Sequence, residues 1–106
     1  MSIKLNRWNK NWNITFEISS YEYGDGLAIV MWCDNHEPYS NLTVNLEDFP
    51  TTKNRAFVDT NNLGDEIVDW IIENDLGELT GRVGVSGYCV YPEVEFNINK
   101  IKEHEV

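Results

Sequence analysis

The sequence has little positive charge. It contains eight Lys and Arg residues against eighteen Asp and Glu, which gives a formal net charge of -10. Residues 11–52 contain no Lys or Arg, and Arg82 is the only one in residues 56–99. Such a charge distribution repels nucleic-acid phosphates and attracts basic protein surfaces. Direct nucleic-acid binding is therefore disfavoured, and a basic protein surface is the expected partner.

Cysteines and long apolar runs are also scarce. Cys33 and Cys89 lack C-x-x-C spacing and lie among apolar residues, so we expect buried free thiols and neither a disulfide nor a metal site. No stretch approaches the ~18 apolar residues of a membrane helix, and no apolar run follows the basic N-terminus, so we expect a cytoplasmic protein with no membrane partner.

Catalytic and metal-binding patterns are missing as well. His36 and His104 do not form the pattern of a metal site or of a Cys-His nucleophile with the cysteines, and no patterned carboxylate pair accompanies them. Carboxylates are too numerous for any pair to stand out as a general acid and base. We therefore predict no enzyme activity, no catalytic residue, no metal and no cofactor.

Residues 61–76 have the periodicity of an amphipathic helix. The apolar face, at spacings of three and four, consists of Leu63, Ile67, Val68, Trp70, Ile71 and Ile72. Asn61 or Asn62 is the expected N-cap, because a short side-chain oxygen accepts from the free amides of the first turn. Gly77 is the expected stop signal. The sequence thus predicts one continuous helix that packs against the core.

The opposite face of this predicted helix is acidic. Asp65, Asp69 and Glu73 follow at i, i+4 and i+8 with Glu66 beside them, and no Lys or Arg lies in the helix. Like charges at this spacing repel by a few tenths of a kcal/mol. The face is either a solvated surface or a carboxylate row presented to a basic partner. Asp65, Glu66, Asp69 and Glu73 are our candidate partner-binding residues.

Alternation of apolar and polar residues predicts strands before and after the helix. The predicted strands fall within residues 1–10, 12–19, 27–33, 42–46, 56–58, 87–91 and 93–98. Gly24-Asp25-Gly26 is a predicted turn. Pro92 favours an edge or a bend because it cannot donate to a ladder. We predict a single α+β domain over residues 1–106, with an antiparallel sheet of five to six strands and one main helix packed on one face.

Residues 78–87 are rich in glycine and are predicted to form an extended loop. The candidate anion-binding residues in this loop are Gly81, Arg82, Gly84, Ser86 and Gly87. Their backbone amides and guanidinium could surround a phosphate, although the order of a P-loop is missing. Alternatively, the glycines serve backbone conformation alone, and Arg82 neutralises Glu78 or a helix carboxylate.

Five tyrosines lie near predicted strand ends. They are Tyr21, Tyr23, Tyr39, Tyr88 and Tyr91. Such residues usually lie at the margin of a core, where one side is apolar and the hydroxyl is wet. Where aromatic side chains are exposed beside acids, the combination is typical of a surface for a basic protein partner.

Four segments resemble a known protein family. They are Glu37-Pro38-Tyr39, residues 42–46, residues 56–62 and the glycine-containing residues 81–92. Together they are similar to the domain-of-unknown-function family 4313, found in bacteria and on their mobile elements, over roughly residues 12–100. The resemblance implies no established activity, cofactor or catalytic residue. It does imply a setting, since small acidic proteins of mobile elements often antagonise host defence, some by occupying the DNA-binding surface of a nuclease.

These observations lead to one main functional prediction and two alternatives. The main prediction is a non-enzymatic acidic binding protein of the anti-CRISPR or anti-restriction type, a DNA mimic that occupies a basic nucleic-acid-binding surface of a host nuclease. The first alternative is a small-ligand or nucleotide-binding module that uses residues 81–87. The second is a structural accessory protein or a homodimer that forms through an exposed strand edge.

Overall fold

A computed structural model describes residues 1–20, 27–46, 48–52 and 54–106. Its strands are β1 (Ile3–Arg7), β2 (Lys10–Ser20), β3 (Leu27–Cys33), β4 (Glu37–Asn41), β5 (Thr43–Val44), β6 (Arg55–Val58), β7 (Gly77–Ser86) and β8 (Cys89–Phe96). Its helices are α1 (Thr60–Leu63), α2 (Glu66–Glu73) and α3 (Ile98–Lys102). The predicted turn at Gly24-Asp25-Gly26 lies outside the described residues.

The described strands form two antiparallel sheets. One has the order β1-β2-β3-β4 and the other β5-β6-β8-β7. The α+β class is confirmed, whereas a single sheet of five to six strands with one main helix is wrong. The chain changes sheet at Leu42, whose N–H donates to Ile29 O of β3 while its carbonyl accepts from Asp59 N. The strand predicted over residues 42–46 is therefore shorter in the structure, where only Thr43–Val44 form β5.

The core lies where the two sheets and α2 meet. Phe16 and Met31 of the first sheet, Val94 of the second and Ile71 of α2 are fully buried within one apolar cluster. Cys33 and Cys89 are free thiols, as predicted, but they are half-buried where full burial was predicted. The hydrophobic effect of this shared cluster fixes α2 against both sheets.

The predicted continuous helix is wrong, because Gly64 divides it into α1 and α2. Gly64 has φ 82° and ψ 163°, a conformation open almost only to glycine. The predicted N-cap is also wrong: Asp59 caps α1, and its carboxylate accepts from the backbone N–H and the side-chain amide of Asn62. The second helix ends at Glu73, before the predicted stop at Gly77, which instead begins β7.

We expect Gly64→Ala to lower the free energy of unfolding by about 1–2 kcal/mol, because a Cβ strains this backbone conformation. Urea denaturation followed by circular dichroism measures the change. Asn61→Ala, at an exposed position of α1, is the control and should change stability by less than about 0.5 kcal/mol. An unchanged midpoint together with increased helicity in Gly64→Ala would mean that α1 and α2 merge at little cost.

The predicted glycine loop is wrong as well, since residues 77–86 form strand β7. Gly84 is closely packed, because a Cβ there would lie 2.5 Å from Leu46 Cδ1 and 3.0 Å from the Phe57 ring, so these side chains would have to shift. Pro92 lies in β8, which is a central strand and not an edge. Pro92 is tolerated because the described pairing of β8 with β6 covers only Glu93 to Glu95.

Candidate functional site

A groove of about 640 Å³ runs between the polar face of α2 and the turn that joins β1 to β2. Three exposed carboxylates of α2 line it: Glu66, Asp69 and Glu73. Trp8 and Asn9 of the β1–β2 turn line the other side. We call this feature the α2 groove. It is open to solvent and combines carboxylates with a large aromatic surface.

The apolar face of α2 fixes the position of these carboxylates. Ile67 and Ile71 are buried, and the Trp70 indole N–H donates to Lys4 O of β1 at 2.8 Å. The rings of Trp70 and Phe16 pack with their centroids 6.1 Å apart. Because the apolar face points to the core, Glu66, Asp69 and Glu73 point toward the groove and solvent.

Trp8 is the most exposed tryptophan of the described chain, with 73% of its surface accessible. It forms a tight turn with Asn9, in which both residues have positive φ, 55° and 59°. Two positive φ values in a two-residue connection are typical of a type I′ turn. The Arg7 guanidinium lies 4.2 Å from the Trp8 ring centroid. The indole face therefore already accommodates a guanidinium in the free protein.

A second cavity of about 410 Å³ lies on the other side of Trp8. Trp12 and Tyr39 form part of its lining and pack edge to face, with ring centroids 5.1 Å apart. The buried indole N–H of Trp12 has no hydrogen-bond partner among the described residues. Arg7 borders both cavities and is held by hydrogen bonds to the Tyr39 hydroxyl and to Asn62 O.

The structure brings three of the four predicted partner-binding residues together. Glu66, Asp69 and Glu73 line the α2 groove, whereas Asp65 is exposed before the first turn of α2 and does not line it. Trp8 was not among the residues predicted from the sequence. Its tight turn carries Trp-Asn, without the glycine that usually marks a type I′ turn, so the only signal is the alternation of residues on both sides.

The predicted anion-binding residues are placed differently from a phosphate loop. Leu79 pairs with Val94 and Val83 with Pro92, so the three residues Thr80, Gly81 and Arg82 oppose the single residue Glu93. This bulge turns two of its side chains toward the Glu93 carboxylate. Farther along β7, Gly84 and Ser86 pair with Tyr91 and Cys89, and Gly87 begins the turn to β8.

Glu93 is a carboxylate with only 1% of its surface exposed, and it is held by cations and a hydroxyl. Arg82 Nη1 lies 2.8 Å from Glu93 Oε2, and the Thr80 hydroxyl donates to Oε1 at 2.7 Å. Arg55 Nη1 is more distant, at 3.8 Å. Arg82 also donates to Pro50 O. Arg82 thus neutralises Glu93, and not Glu78 or a helix carboxylate as predicted.

Tyr91 is a buried tyrosine of β8. Burial raises the pKa of Tyr91, and the Cys89 hydrogen bond, the Cys89 charge and the charge of Asp59 raise it further. The phenol therefore stays protonated at neutral pH and acts as a hydrogen-bonding group of the second sheet. The described residues contain no group of three His, Cys, Asp or Glu side chains placed to hold a metal ion.

The sequence matches a known protein family over most of its length. The model of a domain of unknown function, DUF4313, matches residues 15–106. The chain belongs to the DUF4313 family. The match covers α2, the second sheet and, in the first sheet, β3, β4 and part of β2, but not β1, so the Trp8 side of the α2 groove lies outside the DUF4313 match. Neither a curated protein nor a solved structure matches the chain.

The helices of this DUF4313 protein are short. In the described parts of the chain, no helix has the length and apolar character needed to cross a membrane. The longest described helix, α2, has eight residues. The polar face of α2 lines the α2 groove, and its apolar face packs in the core.

Proposed function

We propose that this DUF4313 protein is a non-enzymatic acidic binding protein that acts in the cytoplasm and takes a basic segment of a protein partner in the α2 groove. The observation that carries the proposal is the placement of Glu66, Asp69 and Glu73 opposite the exposed Trp8. Carboxylates attract Lys and Arg over a distance, and an indole face binds a guanidinium at contact.

The electrostatics of the whole chain support a basic partner. A net charge of -10 speeds encounter with a positively charged surface and repels nucleic acid. The carboxylates of α2 also leave like charges unrelieved along the helix, because α2 has no Lys or Arg. A partner that brings several basic side chains removes this repulsion when it binds.

The more specific form of the proposal concerns the class of partner. Proteins that bind nucleic acids contact the phosphates with Lys and Arg, so their binding surfaces are basic. We infer that the partner is a DNA- or RNA-binding nuclease of host defence, and that the chain acts as a DNA mimic of the anti-CRISPR or anti-restriction type. The α2 groove then takes Lys or Arg side chains that would contact the nucleic-acid backbone.

The test is affinity purification of the tagged protein from a host lysate at low and at high salt, read by mass spectrometry. We expect a DNA- or RNA-binding nuclease at low salt and its loss at high salt, because exposed charge pairs are screened. With the recovered partner, Trp8→Ala should weaken binding about fivefold, since exposed tryptophans often dominate interfaces.

Tyr88→Ala is the matched control for this experiment. It removes an even more exposed aromatic side chain from the turn between β7 and β8, away from the α2 groove. Affinity should stay at the wild-type value. Equal losses in Trp8→Ala and Tyr88→Ala, or recovery of no nucleic-acid-binding protein at low salt, would contradict the proposal.

A further inference from the structure

Strand β7 forms an edge of the second sheet that lacks the usual protection. The other edge strands of the described sheets are protected: β1 carries Lys4 and Arg7, β4 contains Pro38, and β5 has two residues. In β7 the bulge protects only residues 80–82. Residues 83–86 have no charge, no proline and no described pairing strand on their outer side, and this combination favours pairing with another chain.

The turn between β7 and β8 sets which backbone groups point outward. Ser86 pairs with Cys89 across the two residues Gly87 and Tyr88, and Gly87 has φ 61°. A glycine with positive φ at the first position is typical of a type II′ turn, whose closing pair is hydrogen-bonded. Hydrogen bonding alternates along an antiparallel ladder.

Val83 and Val85 therefore have their N–H and C=O groups directed away from β8. The pairing partners agree with this assignment, because Val83 lies opposite Pro92, which has no N–H to donate. Among the described residues, none pairs with these outward donors and acceptors of Val83 and Val85. Their spacing is that of alternate residues, which is what an added antiparallel strand requires.

The side chains beside this edge are apolar and exposed. Val83, Val85 and Val90 are each about half exposed, at 49%, 46% and 56%. Val85 and Val90 are directly opposite each other and so lie on the same face of the hairpin. Residues 83–92 contain no charged side chain, in a chain with a net charge of -10.

We propose that this edge pairs with the β7 edge of a second copy of the chain, antiparallel, with a two-fold axis at Gly84. Val83 of each copy then lies opposite Val85 of the other, and these residues exchange their outward hydrogen bonds. The two four-stranded sheets become one continuous sheet across the axis. The valines of both copies form one apolar surface.

The β7 edge is an uncharged part of an acidic chain, and its two valines are related to each other by a two-fold axis, so it suits a second copy better than a partner that is recognised by charge. About this axis Arg82 lies beside the uncharged Ser86 of the other copy, so no like charges are opposed. Pairing through α2 would place carboxylates against carboxylates. Because the remaining surfaces of the two copies repel each other, added salt should strengthen this dimer. This response is opposite to that expected for the basic partner of the α2 groove, so the two proposals fail independently.

Sedimentation equilibrium between about 5 µM and about 500 µM tests the proposal, because association by mass action depends on concentration. We expect the mass to rise from 12.3 kDa toward twice that value. Val85→Lys should weaken dimerisation more than tenfold, since it places a charge on the paired edge. The amides of Val83 and Val85 should be protected from hydrogen exchange only at concentrations where the dimer forms.

Leu79→Lys is the matched control, because Leu79 lies in the same strand on the other side of the bulge and is 50% exposed. It makes the same change of charge and should dimerise like the wild type. A wild-type mass of 12.3 kDa at every concentration and salt would overturn the proposal. A dimer that survives Val85→Lys, equal weakening by Leu79→Lys, or unprotected Val83 and Val85 amides in the dimer would do the same.

Discussion

Arg82→Met is expected to lower the free energy of unfolding by about 2–3 kcal/mol, because it leaves Glu93 as a buried carboxylate without its close cation. Glu93 is 1% exposed and lies 2.8 Å from the guanidinium. The Thr80 hydroxyl remains, but a single hydroxyl does not compensate a buried charge. The expected loss of stability is small for a broken buried ion pair, because the Arg82 side chain is 41% exposed and its charge is partly screened by solvent.

Urea denaturation of three variants distinguishes the charge effect from lost packing. Arg55→Met is the matched control: Arg55 is 40% exposed and lies 3.8 Å from Glu93, so the loss should be below about 1 kcal/mol. Glu93→Gln combined with Arg82→Met should recover most of the stability, since the buried charge is gone. Equal losses for the two arginines would contradict a special role of Arg82 in neutralising Glu93. No recovery in the double variant would mean that Arg82 acts instead through its contact with the Phe57 ring, whose centroid lies 5.3 Å from the guanidinium carbon.

This charge cluster also shows why the glycine segment was misinterpreted from the sequence. Strand alternation in β7 is hidden, because Gly81 and Gly84 contribute no side chain to either face. A bulge that sets Thr80 and Arg82 around Glu93 depends on pairing between distant residues, and a local pattern does not contain it. The prediction that Arg82 is an internal neutraliser was correct in kind, but its partner Glu93 lies on the neighbouring strand.

Helix α2 was the most predictable element, because its pattern is local in the sequence and does not depend on pairing between distant residues. Its apolar residues Ile67, Trp70 and Ile71 are spaced along one segment, so the periodicity alone identifies the buried face. The start of α2 was less predictable, because α1 ends at Gly64, whose backbone conformation (φ 82°, ψ 163°) interrupts the helix. Asp65 therefore falls before the first turn of α2, outside the α2 groove.

The groove itself could not be predicted, because its two sides are about sixty residues apart in sequence. Trp8 and the α2 carboxylates line the same groove, and the hydrogen bond from the Trp70 indole N–H to Lys4 O helps to hold β1 beside the helix. A sequence pattern identifies an acidic face, but only the fold shows which part of that face lies beside an aromatic side chain. This proximity is the basis of the remaining prediction.

Neutralising the groove carboxylates together, in Glu66→Gln/Asp69→Asn/Glu73→Gln, is expected to weaken binding of the recovered basic partner about thirtyfold at low salt. Each exposed carboxylate is expected to contribute about 0.5–1 kcal/mol to such a contact, and about 1.4 kcal/mol in total corresponds to a tenfold change. Fluorescence anisotropy with the labelled partner, or with an oligo-arginine peptide, measures the loss. The difference from wild type should shrink in high salt.

A second triple variant, Asp48→Asn/Glu78→Gln/Glu105→Gln, distinguishes binding in the α2 groove from attraction by the net charge of the chain. It removes the same amount of charge from exposed positions that do not line the α2 groove. If the groove binds the partner, this variant should lose only the small, long-range part of the affinity, about twofold to threefold. Equal losses in the two triple variants would mean that net charge alone attracts the partner. An unchanged affinity in the groove variant would contradict the proposal, because it would show that the charges of these three carboxylates do not contribute to binding.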